Sequence, residues 1–262
     1  MTAPTYLERI LRAHRAAAAA DDRSIEALMA DARRQPPGRD VAGALSAPGV
    51  SVIAEVKRAS PSKGPLAPDL DPAELAASYE SGGAACVSVL TDRQFFDGSP
   101  DDLSAARAAI DLPVLRKDFT VSAADLCDAR SVGADAARLI VAALDRDELR
   151  ELHDVATDLG LAALVEVHDE AEAETALDVG AEIVGINQRD LVTFEVETDR
   201  AIRVALSLPD TVVRVAESGI AGADDLPRLV DAGFDAVLVG ESLVRSGDPA
   251  DAVARLVRAG AR

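Results

Sequence analysis

From Ser51 onward, short apolar runs alternate with longer amphipathic stretches. The runs are rich in Val, Ile and Ala and begin near Ser51, Ala84, Pro113, Asp135, Ala162, Glu182, Thr211 and Asp235. Each has the length of a strand and is apolar without alternation, as strands covered on both faces are. Between them the apolar period is helical: Leu152, Val155, Ala156 and Leu159 fall at i, i+3, i+4 and i+7, and Leu226, Leu229, Val230 and Gly233 repeat the spacing. Asp71-Pro72, Ser99-Pro100 and Asp248-Pro249 pair a capping side chain with a proline suited to the first turn, and so mark helix starts. Ahead of this rhythm Tyr6 to Arg34 reads as helix, with Leu7, Ile10 and Leu11 on one face. The patch Gln35-Pro36-Pro37-Gly38 interrupts it, and Asp40 to Ser46 reads as a further short helix.

Continuous apolar strands, each followed by one helix, require a parallel sheet covered by helices. Eight such units in about 210 residues are the count of a (β/α)8 TIM barrel. An open doubly wound sheet needs fewer strands, and no GxGxxG follows the first strand. The predicted fold class is therefore α/β, with residues 1–262 a single barrel domain: 1–46 an N-terminal helical extension, 51–262 the barrel.

Charge narrows the function. A formal net charge of −19 opposes binding to nucleic acid and to anionic membranes, both of which require clustered Lys and Arg. No apolar run approaches the ~18 residues that span a bilayer, and the first residues lack the ordered regions of a secretion signal. The two cysteines, Cys86 and Cys127, are too few and too far apart for a disulfide framework or a zinc site and suit a reducing compartment. A soluble, cytoplasmic protein is expected. Of 27 basic residues only Lys57, Lys63 and Lys117 are lysine, so these three positions attract attention.

Barrel chemistry lies at the C-terminal ends of the strands. Those ends carry Glu55 and Lys57, then Thr91-Asp92-Arg93 with Phe95 and Phe96, then Lys117-Asp118-Phe119, Glu166, Asn187-Gln188-Arg189, Glu217-Ser218-Gly219 and Gly240-Glu241-Ser242. A barrel has no packing reason to gather ionisable groups on one rim, because each costs desolvation unless paired. Lysines and glutamates shielded together supply a general acid and a general base near neutral pH. The glycine-containing turns at Gly219 and Gly240, the second opening a short helix, form a phosphate cradle of backbone N–H groups to which Lys57 could add charge. Glu241 suits an anion there only if its side chain faces outward. An anionic substrate also needs a locally positive mouth, for which Lys57, Arg58, Lys63, Lys117 and Arg189 are candidates. No metal-ligand spacing is visible, and His14 and His153 read as surface or packing residues on helices, with His168 close behind Glu166.

The stretches VIAEVKRASPSKG (52–64), SVLTDRQFFDGS (88–99), PVLRKDF (113–119), ALVEVH (163–168), GINQRDL (185–191), VAESGI (215–220) and VLVGESL (237–243) resemble, in order and spacing, the indole-3-glycerol-phosphate synthase family, over about residues 5 to 259. The resemblance implies ring closure, decarboxylation and dehydration of 1-(2-carboxyphenylamino)-1-deoxyribulose 5-phosphate, giving indole-3-glycerol phosphate, CO2 and water in tryptophan biosynthesis, with no cofactor and no metal. It implies Lys117 as general acid, Glu166 as general base of the dehydration, and Lys57 at the substrate carboxylate or phosphate, with Glu55 and Asn187 holding these groups in register. Ser60, Phe96, Phe119, Arg189, Glu217 and Ser218 would bind substrate, and Lys57, Gly219, Gly240, Glu241 and Ser242 the phosphate. The partner is a small anionic substrate, with neither nucleic acid nor membrane, and other tryptophan-pathway enzymes are further candidates. One departure stands out: Arg138 interrupts the fourth strand, where the family usually shows an aliphatic run, and it should be costly unless it pairs with an acid or points to a helix interface. Three alternatives remain at this point: a sugar-phosphate isomerase, a Schiff-base aldolase using Lys117, and a silent barrel that binds a phosphorylated metabolite.

Overall fold

The structure, a computed structural model, describes residues 5–61, 63–189 and 196–261. Eight parallel strands close into a barrel: β1 (Ser51–Val56), β4 (Cys86–Leu90), β5 (Val114–Lys117), β6 (Ala136–Ile140), β7 (Ala162–Val167), β8 (Ile183–Asn187), β9 (Val213–Glu217) and β10 (Ala236–Val239), with β1 pairing both β4 and β10. All eight apolar runs are thus barrel strands. The loop after β1 also holds a two-stranded antiparallel pair, β2 (Ala59–Ser60) and β3 (Gly64–Pro65), too short to leave a periodic trace in the sequence.

Outside the barrel pack α4 (Pro72–Ser81), α6 (Pro100–Ala109), α7 (Ala123–Ser131), α8 (Arg146–Asp158), α9 (Glu170–Asp178), α10 (Thr198–Ser207), α11 (Leu226–Asp231) and α13 (Pro249–Gly260), and two four-residue helices, α5 (Arg93–Phe96) and α12 (Glu241–Val244), follow β4 and β10. Asp71, Ser99 and Asp248 cap α4, α6 and α13, their side chains accepting from first-turn N–H groups, with proline at the start of each helix.

Ahead of β1 lie α1 (Tyr6–Ala19), α2 (Ile25–Arg33) and α3 (Val41–Leu45). The continuous helix expected from Tyr6 to Arg34 is therefore broken. Arg23 N–H donates to Asp21 Oδ1 at 3.0 Å and Ser24 Oγ caps α2; these short polar side chains take the backbone donors that an uninterrupted helix would have used. The short helix expected at Asp40–Ser46 is α3. Its Val41 and Leu45 pack on Ile53, Cys86, Leu115, Leu164, Ile183 and Leu238, so α3 plugs the N-terminal end of the barrel.

The period of two along each strand positions the chemistry. Residues of β1 such as Val52, Ala54 and Val56 face the helices, whereas Ile53 belongs to the interior layer above α3. Two residues further on, the interior phase reaches the C-terminal rim and turns polar. Ile53 is followed by Glu55, Leu115 by Lys117, Leu164 by Glu166 and Val215 by Glu217. Ala136 is followed, in the same phase, by Arg138.

Candidate active site

The polar layer is the floor of a cavity of about 470 Å³ at the C-terminal end of the barrel. Glu55, Lys57, Ser60, Phe96, Lys117, Phe119, Glu166, Asn187, Arg189, Glu217, Ser218, Gly219, Gly240, Glu241 and Ser242 all line it. Lys57 Nζ lies 2.5 Å from Glu55 Oε1, and Lys117 Nζ lies 3.8 Å from Glu55 Oε2 and 2.9 Å from Glu217 Oε2. Glu166 accepts from Arg138 Nη1 at 2.9 Å and from Asn187 Nδ2 at 3.0 Å. Asn187 Oδ1 in turn accepts from Ser218 Oγ at 2.8 Å and from the Arg189 N–H at 3.1 Å.

Burial and mutual charge set the protonation of this ring. Burial raises the pKa of Glu166, but Arg138, Lys117 and His168 outweigh it and hold the carboxyl well below its usual range. Glu217 goes the other way, pushed up by burial and by the neighbouring Glu166 in spite of Lys117. Burial opposes the charge on Lys117, yet Glu217 and Glu55 keep its pKa above the ordinary lysine value. The site thus holds a charged ammonium beside one firmly ionised carboxylate and one that protonates readily. Two groups of opposed proton demand are the equipment of acid–base catalysis.

The backbone makes room for this arrangement. A Cβ at Gly240 would collide with the Glu55 carboxylate and press on Lys57 Nζ. Ser218 (φ 67°) and Gly219 (φ 73°) are both left-handed, turning the chain sharply over the cavity; a positive φ is uncommon for serine. Ser242 Oγ donates to the Ile220 carbonyl at 3.4 Å, tying the turns after β9 and β10 together. Glu241 is partly exposed and faces Arg245 Nε at 3.8 Å, so its charge is directed toward a cation at the rim.

Several expectations change. Arg58 pairs with Asp102 and donates to the Leu70 carbonyl, and Lys63 is exposed on the β2–β3 turn; neither lines the cavity. The positive mouth therefore rests on Lys57, Lys117 and Arg189 together with Arg138 and Arg245. Phe95 packs against the core while Phe96 faces the cavity, since neighbours on a short helix diverge. His14 is not simply a surface or packing residue: its Nε2 lies 2.8 Å from Asp92 Oδ2 and its ring sits 5.6 Å from that of Phe119. His14, Asp92 and Asp118 come within 4.8 Å of one another, but Arg116 already donates to Asp118 at 3.0 Å and supplies the positive charge there. His168 lies behind Glu166, at 3.6 Å, and bonds Glu172.

Comparison with known proteins decides the family. The sequence model described as indole-3-glycerol phosphate synthase matches residues 7–256. The chain is 53% identical over 262 residues to the indole-3-glycerol phosphate synthase of Mycobacterium ulcerans, covering 99% of this chain and 96% of that one. It is also 53% identical over 263 residues to that of Mycolicibacterium vanbaalenii, covering 100% and 97%. The chain belongs to the indole-3-glycerol phosphate synthase family. Members of that family are carboxy-lyases of tryptophan biosynthesis, and this chain is such an enzyme. Solved structures at low identity share the fold alone. Thiamine phosphate pyrophosphorylase from Pyrococcus furiosus matches with TM-score 0.62 at 16% identity, over 84% of this chain and 97% of that one. The 3-hexulose-6-phosphate synthase of Salmonella typhimurium matches with TM-score 0.64 at 12% identity, over 80% and 98%.

Part of the cavity lies outside what the sequence pattern indicates. Tyr6, Leu7 and Ile10 of α1 form one wall, and Arg138 and Ile140 of β6 contribute to it as well. Leu7 and Ile10 were visible as an apolar helix face, but nothing in a single helix says which surface it covers. Arg138 did leave a signal: it shares the interior phase of its strand with Ala136.

Proposed function

We propose that this cavity carries out the indole-forming ring closure with Lys117 as general acid and Glu166 as general base. The aromatic carbon bearing the carboxylate attacks C2 of the ribulose chain, and the Lys117 ammonium delivers its proton to the carbonyl oxygen. Loss of CO2 restores the aromatic ring. Lys117, recharged from solvent, gives a second proton to the C2 hydroxyl, which leaves as water while Glu166, ionised at neutral pH, takes the proton lost from C1. The carboxylate substrate and one net proton thus give indole-3-glycerol phosphate, CO2 and water. The pairing of a charged Lys117 against Glu217 and Glu55, beside an ionised Glu166 held at both oxygens, is the observation that carries this reading.

Phe96 and Phe119, with ring centroids 6.1 Å apart and planes tilted by 35°, offer the aryl group an apolar seat beside Ile10 and Ile140. Arg189 and Lys57 receive its carboxylate, Glu217, Ser218 and Ser60 the sugar chain, and Gly219, Gly240 and Ser242 the phosphate through their N–H groups. Burial pushes the pKa of the Cys86 thiol up to about 12, which disfavours a sugar-phosphate isomerase that would rely on this cysteine.

The chain operates as one domain, with residues 1–46 serving the site rather than a separate task. Among the described residues no helix is long and apolar enough to cross a membrane, and the acidic surface disfavours nucleic acid; both fit a cytoplasmic enzyme with a small anionic substrate, one able to work beside others of its pathway. Incubation with the synthetic substrate, followed by indole fluorescence, tests the reaction directly, because the chain has no Trp. Absence of product, or borohydride trapping of a Lys117 adduct, would overturn the assignment.

A further inference from the structure

Arg138 stands where an interior barrel position would ordinarily be apolar, in the middle of β6, with only 6% of its surface exposed. Each part of its guanidinium is committed differently. Nη1 donates to Glu166 Oε2 at 2.9 Å, Nε donates to the Asp118 carbonyl at 3.1 Å, and Cζ lies over the Phe119 ring, 4.6 Å from its centre. Nη2 is buried without a protein acceptor in a residue that lines the cavity. A guanidinium kept for packing alone would have its donors satisfied, since an unmade buried charged donor is costly. This one is clamped on one edge by Glu166 and the Asp118 carbonyl, and its second Nη is left without a protein acceptor.

Arg138 also supplies the cation paired with Glu166 on this floor. Glu55, Glu166 and Glu217 share the shielded space with Lys57, Lys117 and Arg138. Without Arg138, Glu166 would lose the cation bonded to it. Glu166 is faced by Arg138 from β6, Lys117 from β5, Asn187 from β8, Glu217 from β9 and His168 just after β7. Of the cations among these, Arg138 is the one bonded directly to the carboxylate, and Asn187 holds the opposite oxygen.

We propose that Arg138 is a positioning residue for Glu166: together with Asn187 it fixes the carboxylate plane and keeps the group an anion ready to accept a proton. The proposal rests on the assignment of Glu166 as base. Carboxylate orientation and charge are then set by one strand partner, and the aryl seat at Phe119 is stacked on the same guanidinium.

The test is the pH dependence of kcat for the full chain with R138M, R138Q and R138K. In the neutral variants kcat should fall about 10- to 100-fold, part of what a general base supplies, and its acid limb should move up by at least about one pH unit. R138K keeps the charge and should keep the limb near its wild-type position. In an E166Q background, R138M should change kcat by less than about 2-fold, because the residue through which Arg138 acts has lost its function. An unmoved limb in a folded neutral variant, or a further full loss on top of E166Q, would overturn the proposal. R138Q, which keeps a donor, serves where R138M does not fold. A wild-type chain that forms no indole product would instead overturn the underlying reading, and is seen before any variant is made.

Discussion

His14 Nε2 in α1 lies 2.8 Å from Asp92 Oδ2 at the start of α5 and 3.8 Å from Asp118 Oδ1 after β5. One helix of the extension is thereby latched to two rim loops, and the latch titrates. Burial lowers the pKa of His14, but the bond to Asp92 and the charge of Asp118 outweigh it and raise the value above 6.5. A raised folded value stabilises the fold fully below the unfolded value of about 6.5, and the benefit is lost as pH rises through the folded one. The melting difference between wild type and H14A should therefore shrink between pH 6 and pH 9. A difference that stays constant across that range would rule out the charged latch.

Lys117→Ala should lower kcat by about 10³-fold or more, the scale of a lost general acid with its charge. Folding should survive. Glu217, already pushed upward in pKa, can take up a proton when its cation is removed, so no buried charge is left stranded. Indole fluorescence gives the rate and circular dichroism the fold; near-normal turnover would refute the role of Lys117.

Glu166→Gln keeps an oxygen for Arg138 or Asn187 but cannot accept the proton. Dehydration should slow by about 10²- to 10⁴-fold, and an intermediate that has lost CO2 but not water should accumulate. Rapid quench followed by mass analysis would detect it. CO2 release and product formation that slow equally would count against a base acting in the last step.

Gly240→Ala brings a Cβ into the space of the Glu55 carboxylate and against Lys57 Nζ. Either the turn after β10 retreats or the Glu55–Lys57 pair moves. A shift of this kind costs about 10²-fold in reactions that depend on alignment, and KM for the phosphorylated substrate should rise as well. Wild-type kinetics in this variant would mean that the turn has slack that its contacts do not suggest.

The barrel was legible because its strands are apolar on both faces and separated by helix-period stretches, a pattern that few other folds produce. The site was legible for a related reason: its residues follow apolar partners by two positions, as Lys117 follows Leu115 and Glu166 follows Leu164. Applied without exception, that parity rule would have put Arg138 on the same floor. The break between α1 and α2 was written in Asp21 and Ser24, whose side chains compete for backbone donors, but the strong helix formers around them masked it. The wall formed by Tyr6, Leu7 and Ile10, and the latch from His14 to Asp92 across 78 positions, depend on how α1 docks. Docking is a tertiary fact that one sequence does not spell out.

With α3 seated under the apolar layer of Ile53, Leu115, Leu164 and Leu238, the barrel is stoppered from below. Among the described residues, the charged floor opens into the cavity at the opposite end, where the reactant settles. A reactant that displaces water from that cavity strengthens the attractions among the fixed charges. The lower end of the fold, far from any bond that changes, thus helps keep the reaction dry.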